Sequence, residues 1–73
     1  MRIYDAVDFG RAVRTFRKAK GYTQQQIADL SGCRLMSVSN LERGKETAEL
    51  GKALAVLATI GVDVCADARG GAK

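Results

Sequence analysis

A chain of 73 residues, 47% hydrophobic and 27% charged, has room for one small domain around one core. Twelve Lys and Arg against eight Asp and Glu leave a net charge of +4, which suits a polyanionic partner and not a basic one. With no His and only the distant Cys33 and Cys65, a metal site is disfavoured. So is catalysis, for want of a nucleophile–base pair, paired carboxylates or a phosphate-cradling glycine loop.

The first helix is predicted from Ala6 to Lys20, started by Asp5 or Asp8 and stopped by Gly21. Phe9, Ala12, Val13 and Phe16 fall on its inward face at helical spacing. Arg11, Arg14, Arg17, Lys18 and Lys20 are expected to face out. Arg17 and Lys20 are the candidates among them for a phosphate contact.

The segment from Thr23 to Gly44 then reads as two short helices joined by a tight turn. Thr23 can cap the first of them, and Gln26 can return the bond to the Thr23 N–H. Tyr22 is expected to staple against Ile27 or Ala28, with base stacking as the alternative. Ala28 allows a close helix crossing, and Gly32 can adopt the left-handed conformation that ends a helix. Val38 and Leu41 form the buried stripe of the next helix. This is the skeleton of a DNA-binding helix-turn-helix.

The opposite face of that second helix supplies the candidate reading groups. Met36, Asn40 and Arg43 lie opposite Val38, with Ser37 and Ser39 beside them and Arg34 and Leu35 at the helix start. Asn pairs with adenine, Arg with guanine, Ser with a base edge or phosphate, and an apolar tip meets a thymine methyl. Met36 suits a groove contact, or packing against a helix end or a second subunit. Arg34, Leu35, Met36, Ser39, Asn40 and Arg43 are therefore the expected base readers. Thr23, Gln24, Ser37, Lys45 and Arg17 are the expected phosphate contacts, Gln24 because it opens a helix whose free N–H groups attract an anion. Glu42 would be repelled by DNA and is expected to pair with Arg14 or Arg17.

Charge is distributed in the same sense. Residues 1–45 carry a balance of +5 and residues 46–73 a balance of −1. The positive field thus belongs to the half that holds the reading helix.

Gly44 ends that helix and exposes Arg43 and Lys45. Thr47 is expected to cap a fourth helix, Ala48 to Ile60, closed by Gly61. Leu50, Leu54, Leu57 and Ala58 form its stripe, widened by Ala53, Val56 and Ile60. A helix this apolar calls for cover on more than one side. Residues 62–66, Val-Asp-Val-Cys-Ala, alternate like a short strand. No other strand is available to pair with it, so pairing with its copy in a second subunit is expected, the alternative being a loose tail with two valines on the core. Val62, Val64, Cys65, Leu57 and Ile60 are the expected dimer contacts.

The residues GYTQQQIADLSG, SVSNLERGKETAELGKALAVLATIGV and VDVCA resemble the Cro/phage-repressor (Xre-type) helix-turn-helix proteins, most closely the HipB-type antitoxins and their solo regulator relatives. The resemblance implies an all-α, lambda-repressor-like bundle of four to five short helices plus one short C-terminal β-strand paired across a homodimer. Residues 8–61 would be the helical core, 62–66 the dimerisation strand and 67–73 a flexible tail. It also implies a repressor of palindromic operator DNA that binds a HipA-like serine/threonine kinase toxin, and a phosphate role for Gln24. A solo regulator, or an interaction module that has lost DNA binding, are the alternatives. No cofactor and no small-molecule ligand are expected. The chain contains no apolar run long enough for a membrane and no signal peptide, so a cytoplasmic, nucleoid-associated protein with reduced cysteines is expected.

Overall fold

Four helices make up the protein in its computed structural model, which describes residues 1–71: α1 (Ala6–Ala19), α2 (Gln24–Ser31), α3 (Leu35–Glu42) and α4 (Leu50–Ile60). A single 3₁₀ turn, Arg69–Gly71, follows. The tail expected over 67–73 runs beyond the described residues.

Local chemistry accounts for most of the helix ends. The Asp8 N–H donates to Asp5 Oδ1 at 2.8 Å, capping α1. At the start of α2 the Gln26 N–H donates to Thr23 Oγ1 at 3.1 Å and the Thr23 N–H to Gln26 Oε1 at 2.8 Å. That is the reciprocal capping box expected from Thr23 and Gln26. Gly32 ends α2 with φ +75°, and the Cys33 N–H donates back to the Ala28 carbonyl at 2.9 Å. Residues 32–34 are thus the whole connection between α2 and α3.

The core draws on every helix. Val13 of α1, Ile27 and Ala28 of α2, Val38 and Leu41 of α3, and Ala53, Val56, Leu57 and Ile60 of α4 are buried together. Phe9, Phe16, Tyr22, Cys33 and Val62 pack around them, half-buried. Burying each large aliphatic side chain contributes about 1.5–3 kcal/mol before entropy is counted. Tyr22 therefore takes the packing role. Helix α1 lies against α3 and α4, while α2 bridges α3 and α4.

Four expectations about the fourth helix need correction. Helix α4 begins at Leu50 and not Ala48, with Glu49 at the cap and no side-chain bond from it. Thr47 caps nothing, because residues 46–48 are drawn into turns behind Gly44. The inward phase of α4 is Ala53, Val56, Leu57 and Ile60, leaving Leu50 67% and Leu54 41% exposed. Leu57 and Ile60, expected at a dimer interface, are 1% and 2% exposed within one protomer. They are core residues and have no surface to offer a partner.

The C-terminal segment also differs. Residues 62–68 have no regular secondary structure, and no strand occurs among the described residues. The Val62 N–H donates to the Leu57 carbonyl at 2.9 Å, fastening the chain just past α4. Beyond it Val64 and Cys65 are exposed. Among the described residues no strand offers a ladder, so the β-forming pattern of 62–66 stays unpaired within one protomer.

Candidate nucleic-acid interface

Helix α3 presents two faces. Val38 and Leu41 are buried against α1 and α2, which fixes its rotation. The other side carries Met36, 64% exposed, with exposed Arg43 and half-buried Ser39 and Asn40. Arg34 and Leu35 are exposed at its start, and Ser37 is half-buried. The structure thus brings all six expected base readers onto or beside one helix surface. The Arg43 guanidinium donates to Asn40 Oδ1, so these two groups sit as a pair on that surface.

The phosphate candidates are less uniform. Lys45 is exposed just past α3, and its backbone N–H donates to the Asn40 carbonyl at 3.1 Å. Thr23 spends its hydroxyl on the helix cap, although the residue remains exposed. Gln24 is half-buried and donates from Nε2 to Glu42 Oε1 at 3.1 Å. Its amide is therefore held in place, which suits a bracing group. Among the described residues its remaining amide N–H has no partner.

Arg17 must be withdrawn from the phosphate contacts and from the outward face of α1. It is only 7% exposed. Its Nε donates to Glu42 Oε2 at 2.6 Å, Nη2 to Glu42 Oε1 at 2.9 Å, and Nη1 to the Tyr22 carbonyl at 2.8 Å. This bidentate pair ties α1 to the end of α3 and to the start of α2. Burial pushes the Glu42 carboxyl up, but hydrogen bonds from Arg17 and Gln24 and the charges of Arg17 and Arg14 outweigh this. The net result is a carboxyl held below its ordinary value. The Arg17 guanidinium is raised by the Glu42 hydrogen bond against the opposing effect of burial.

Sequence reasoning passed over Gly10. In the middle of α1, it is buried against the backbone of Leu41 and Glu42 at the end of α3. The available signal was a glycine inside an otherwise regular helix, a position that weakens the helix and so asks for a packing reason. Among the described residues no group of His, Cys, Asp and Glu could hold a metal, and no helix is long and apolar enough to cross a membrane.

A helix locked by a capping box and a three-residue turn to a second, outward-facing helix, rimmed by cations, defines a DNA-binding domain of the helix-turn-helix class. The chain belongs to the helix-turn-helix family, which it matches over residues 13–65, and is thus a DNA-binding regulator by family. It is 40% identical over 63 residues to an uncharacterised HTH-type transcriptional regulator, y4mF, of Sinorhizobium fredii, spanning 86% of this chain and 83% of that one. Over 40 residues it is 52% identical to the competence pilus inhibition repressor of Acinetobacter baylyi, covering 55% of this chain but 36% of the repressor. HipB solved in a complex with an O4 20mer superposes with a TM-score of 0.87 at 20% identity, over 94% of this chain and 97% of HipB. A HipA–HipB–O2–O3 complex gives the same values. At that identity the likeness establishes the fold.

Proposed function

We propose that this chain is a transcriptional repressor that binds palindromic operator DNA as a homodimer, each protomer laying α3 in a major groove. The observation that carries the reading is the outer face of α3, where Met36, Ser39, Asn40 and Arg43 are turned from the core. Arg34 and Leu35 complete the reading set, with Asn40 for adenine and Arg43 for guanine. Lys45, Ser37, Thr23 and Gln24 anchor the flanking phosphates, Gln24 through the amide N–H that Glu42 leaves free. Arg17 stays inside the fold.

With Leu57 and Ile60 in the core, the dimer surface moves to the other side of α4. Leu50, Leu54 and Ala58 recur every four residues there and are exposed. Val62, Val64 and Cys65 follow, and pairing of 62–66 with its copy would satisfy the backbone that one protomer leaves open. Two-fold symmetry places the two α3 helices about one DNA turn apart. The site of action is the cytoplasm, on the nucleoid.

The finer reading is an antitoxin that represses its own operon and binds a HipA-like serine/threonine kinase toxin. Its support is the fold shared with HipB, one of whose complexes contains HipA. Co-purification with a kinase encoded beside it supports this reading. A gene neighbourhood without one leaves a solo regulator.

The test is selection of a preferred duplex from a random pool, followed by titration of Asn40→Ala and Arg43→Ala. Each substitution should weaken the selected duplex by about 1–3 kcal/mol with the helical signal unchanged. Wild-type affinity in both variants would refute the assignment of the reading face. If the wild-type protein binds no DNA in low salt, the interaction-module reading takes over.

A further inference from the structure

We infer that Gly10 is a positioning residue: with Gly44 it forms a backbone seat that sets how far α3 projects from the domain, and hence which bases Asn40 and Arg43 reach. The inference rests on the DNA-reading role proposed for α3.

Nothing in the conformation of Gly10 requires glycine, since it is not among the residues with positive φ and lies within α1. What it contributes is the missing side chain. A Cβ built there overlaps the Leu41 carbonyl oxygen and stands 2.8 Å from the Glu42 carbonyl oxygen and 2.9 Å from the Glu42 carbonyl carbon. All three atoms are backbone at the end of α3, next to Asn40 and Arg43. No rotamer change can relieve that overlap, so a methyl group forces α3 back by roughly half an ångström or more. Functional constellations are typically held to about that tolerance.

Gly44 makes the matching contact from the other side. A Cβ there would lie 2.8 Å from Val7 Cα and 2.9 Å from Val7 Cγ2. Two turns of α1 therefore touch the end of the reading helix with no side chain acting as a spacer. The gap is set by main-chain atoms, which do not yield as rotamers do.

Two other glycines separate this role from ordinary glycine effects. Gly51 is helical, in α4, and a Cβ there meets nothing within 4 Å. Gly21 has φ +80°, close to the +82° of Gly44, and is also open. Gly10→Ala and Gly51→Ala thus share helix propensity and differ in the seat. Gly44→Asn and Gly21→Asn share a left-handed backbone that Asn tolerates, and again differ in the seat.

The experiment takes the duplex that the wild-type protein selects from a random pool and measures its affinity relative to a scrambled duplex. Far-ultraviolet circular dichroism and the salt dependence of binding are recorded for each variant. Gly10→Ala is expected to keep its helical signal, its affinity for the scrambled duplex and its salt slope, while its preference falls by about tenfold or more, the value of one good base contact. Gly51→Ala keeps its preference. A folded Gly10→Ala protein with wild-type preference overturns the inference. If Gly10→Ala does not fold, the asparagine pair decides: preference lost in Gly44→Asn and kept in Gly21→Asn supports the seat, and equal behaviour overturns it. A wild-type protein that selects no duplex removes the DNA-reading premise and the inference together. A selected duplex bound equally well by Gly10→Ala removes the inference alone.

Discussion

Replacing Glu42 with Gln removes one charge from the pair that joins α1 to α3 while preserving the shape of the side chain. The Arg17 and Glu42 side chains are 9% and 2% exposed, so the guanidinium left behind has little access to water. Breaking one side of a buried pair costs about 3–5 kcal/mol, because an uncompensated charge remains inside. A 73-residue domain has on the order of 4–11 kcal/mol of total stability, so the variant should be at the edge of folding. At roughly 4–8 °C per kcal/mol, the midpoint should fall by at least about 12 °C. Thermal and urea unfolding followed by circular dichroism, on Glu42→Gln, Arg17→Met and the Arg17→Met/Glu42→Leu double variant, closes the cycle. The double variant should be more stable than either single one, since an apolar replacement of a whole buried pair is often neutral or favourable. Single variants within about 1 kcal/mol of wild type, the worth of a surface pair, would refute the reasoning. So would a double variant whose loss equals the sum of the singles.

The same carboxyl predicts an acid limb. Because Glu42 titrates below its ordinary value in the fold, its contribution is complete above about pH 4.3 and is lost as pH falls through the lower folded value. Stability against pH should therefore drop below about pH 4 in the wild-type protein, and this component should be missing from Glu42→Gln. Sedimentation should show the wild-type protein at twice the protomer mass, with Leu54→Asp and Val64→Asp reduced to folded protomers. Unchanged mass in Val64→Asp removes the 62–66 pairing. Lys45→Ala should lower the log–log salt slope of binding by about one phosphate contact, on selected and scrambled duplexes alike, as fluorescence titration would show.

The helix-turn-helix was legible because its signals are local. Thr23, Gln26 and Gly32 act through bonds to their immediate neighbours, and Val38 and Leu41 mark α3 at helical spacing. Helix α4 was legible only as a helix. Its apolar residues encircle it, so periodicity could not choose between Leu50, Leu54 and Ala58 and the buried set of Ala53, Val56, Leu57 and Ile60. Contact with α1 and α2 makes that choice, and it is non-local. Arg17 was hidden for a related reason. Within a row of cations it looks like any solvated arginine, and only the folding of Glu42 against it, twenty-five positions later, gives it a partner. The Glu42 pairing itself was anticipated with Arg14 or Arg17. Gly10 carried no periodic signature, since the meaning of an absent side chain depends on what approaches it.

Helix α3 has only eight residues, and Arg34 at its start provides no side-chain cap bond. Isolated helices shorter than about 12–15 residues are marginal in water, so this one does not exist apart from the folded domain. Recognition is then linked to folding, and a DNA site present at about 100 times Kd adds roughly 2.7 kcal/mol to the folded state. Molecules seated on their target should therefore open less often than free ones and resist proteolysis for longer. Turnover would drain the unbound pool first and spare the occupied sites.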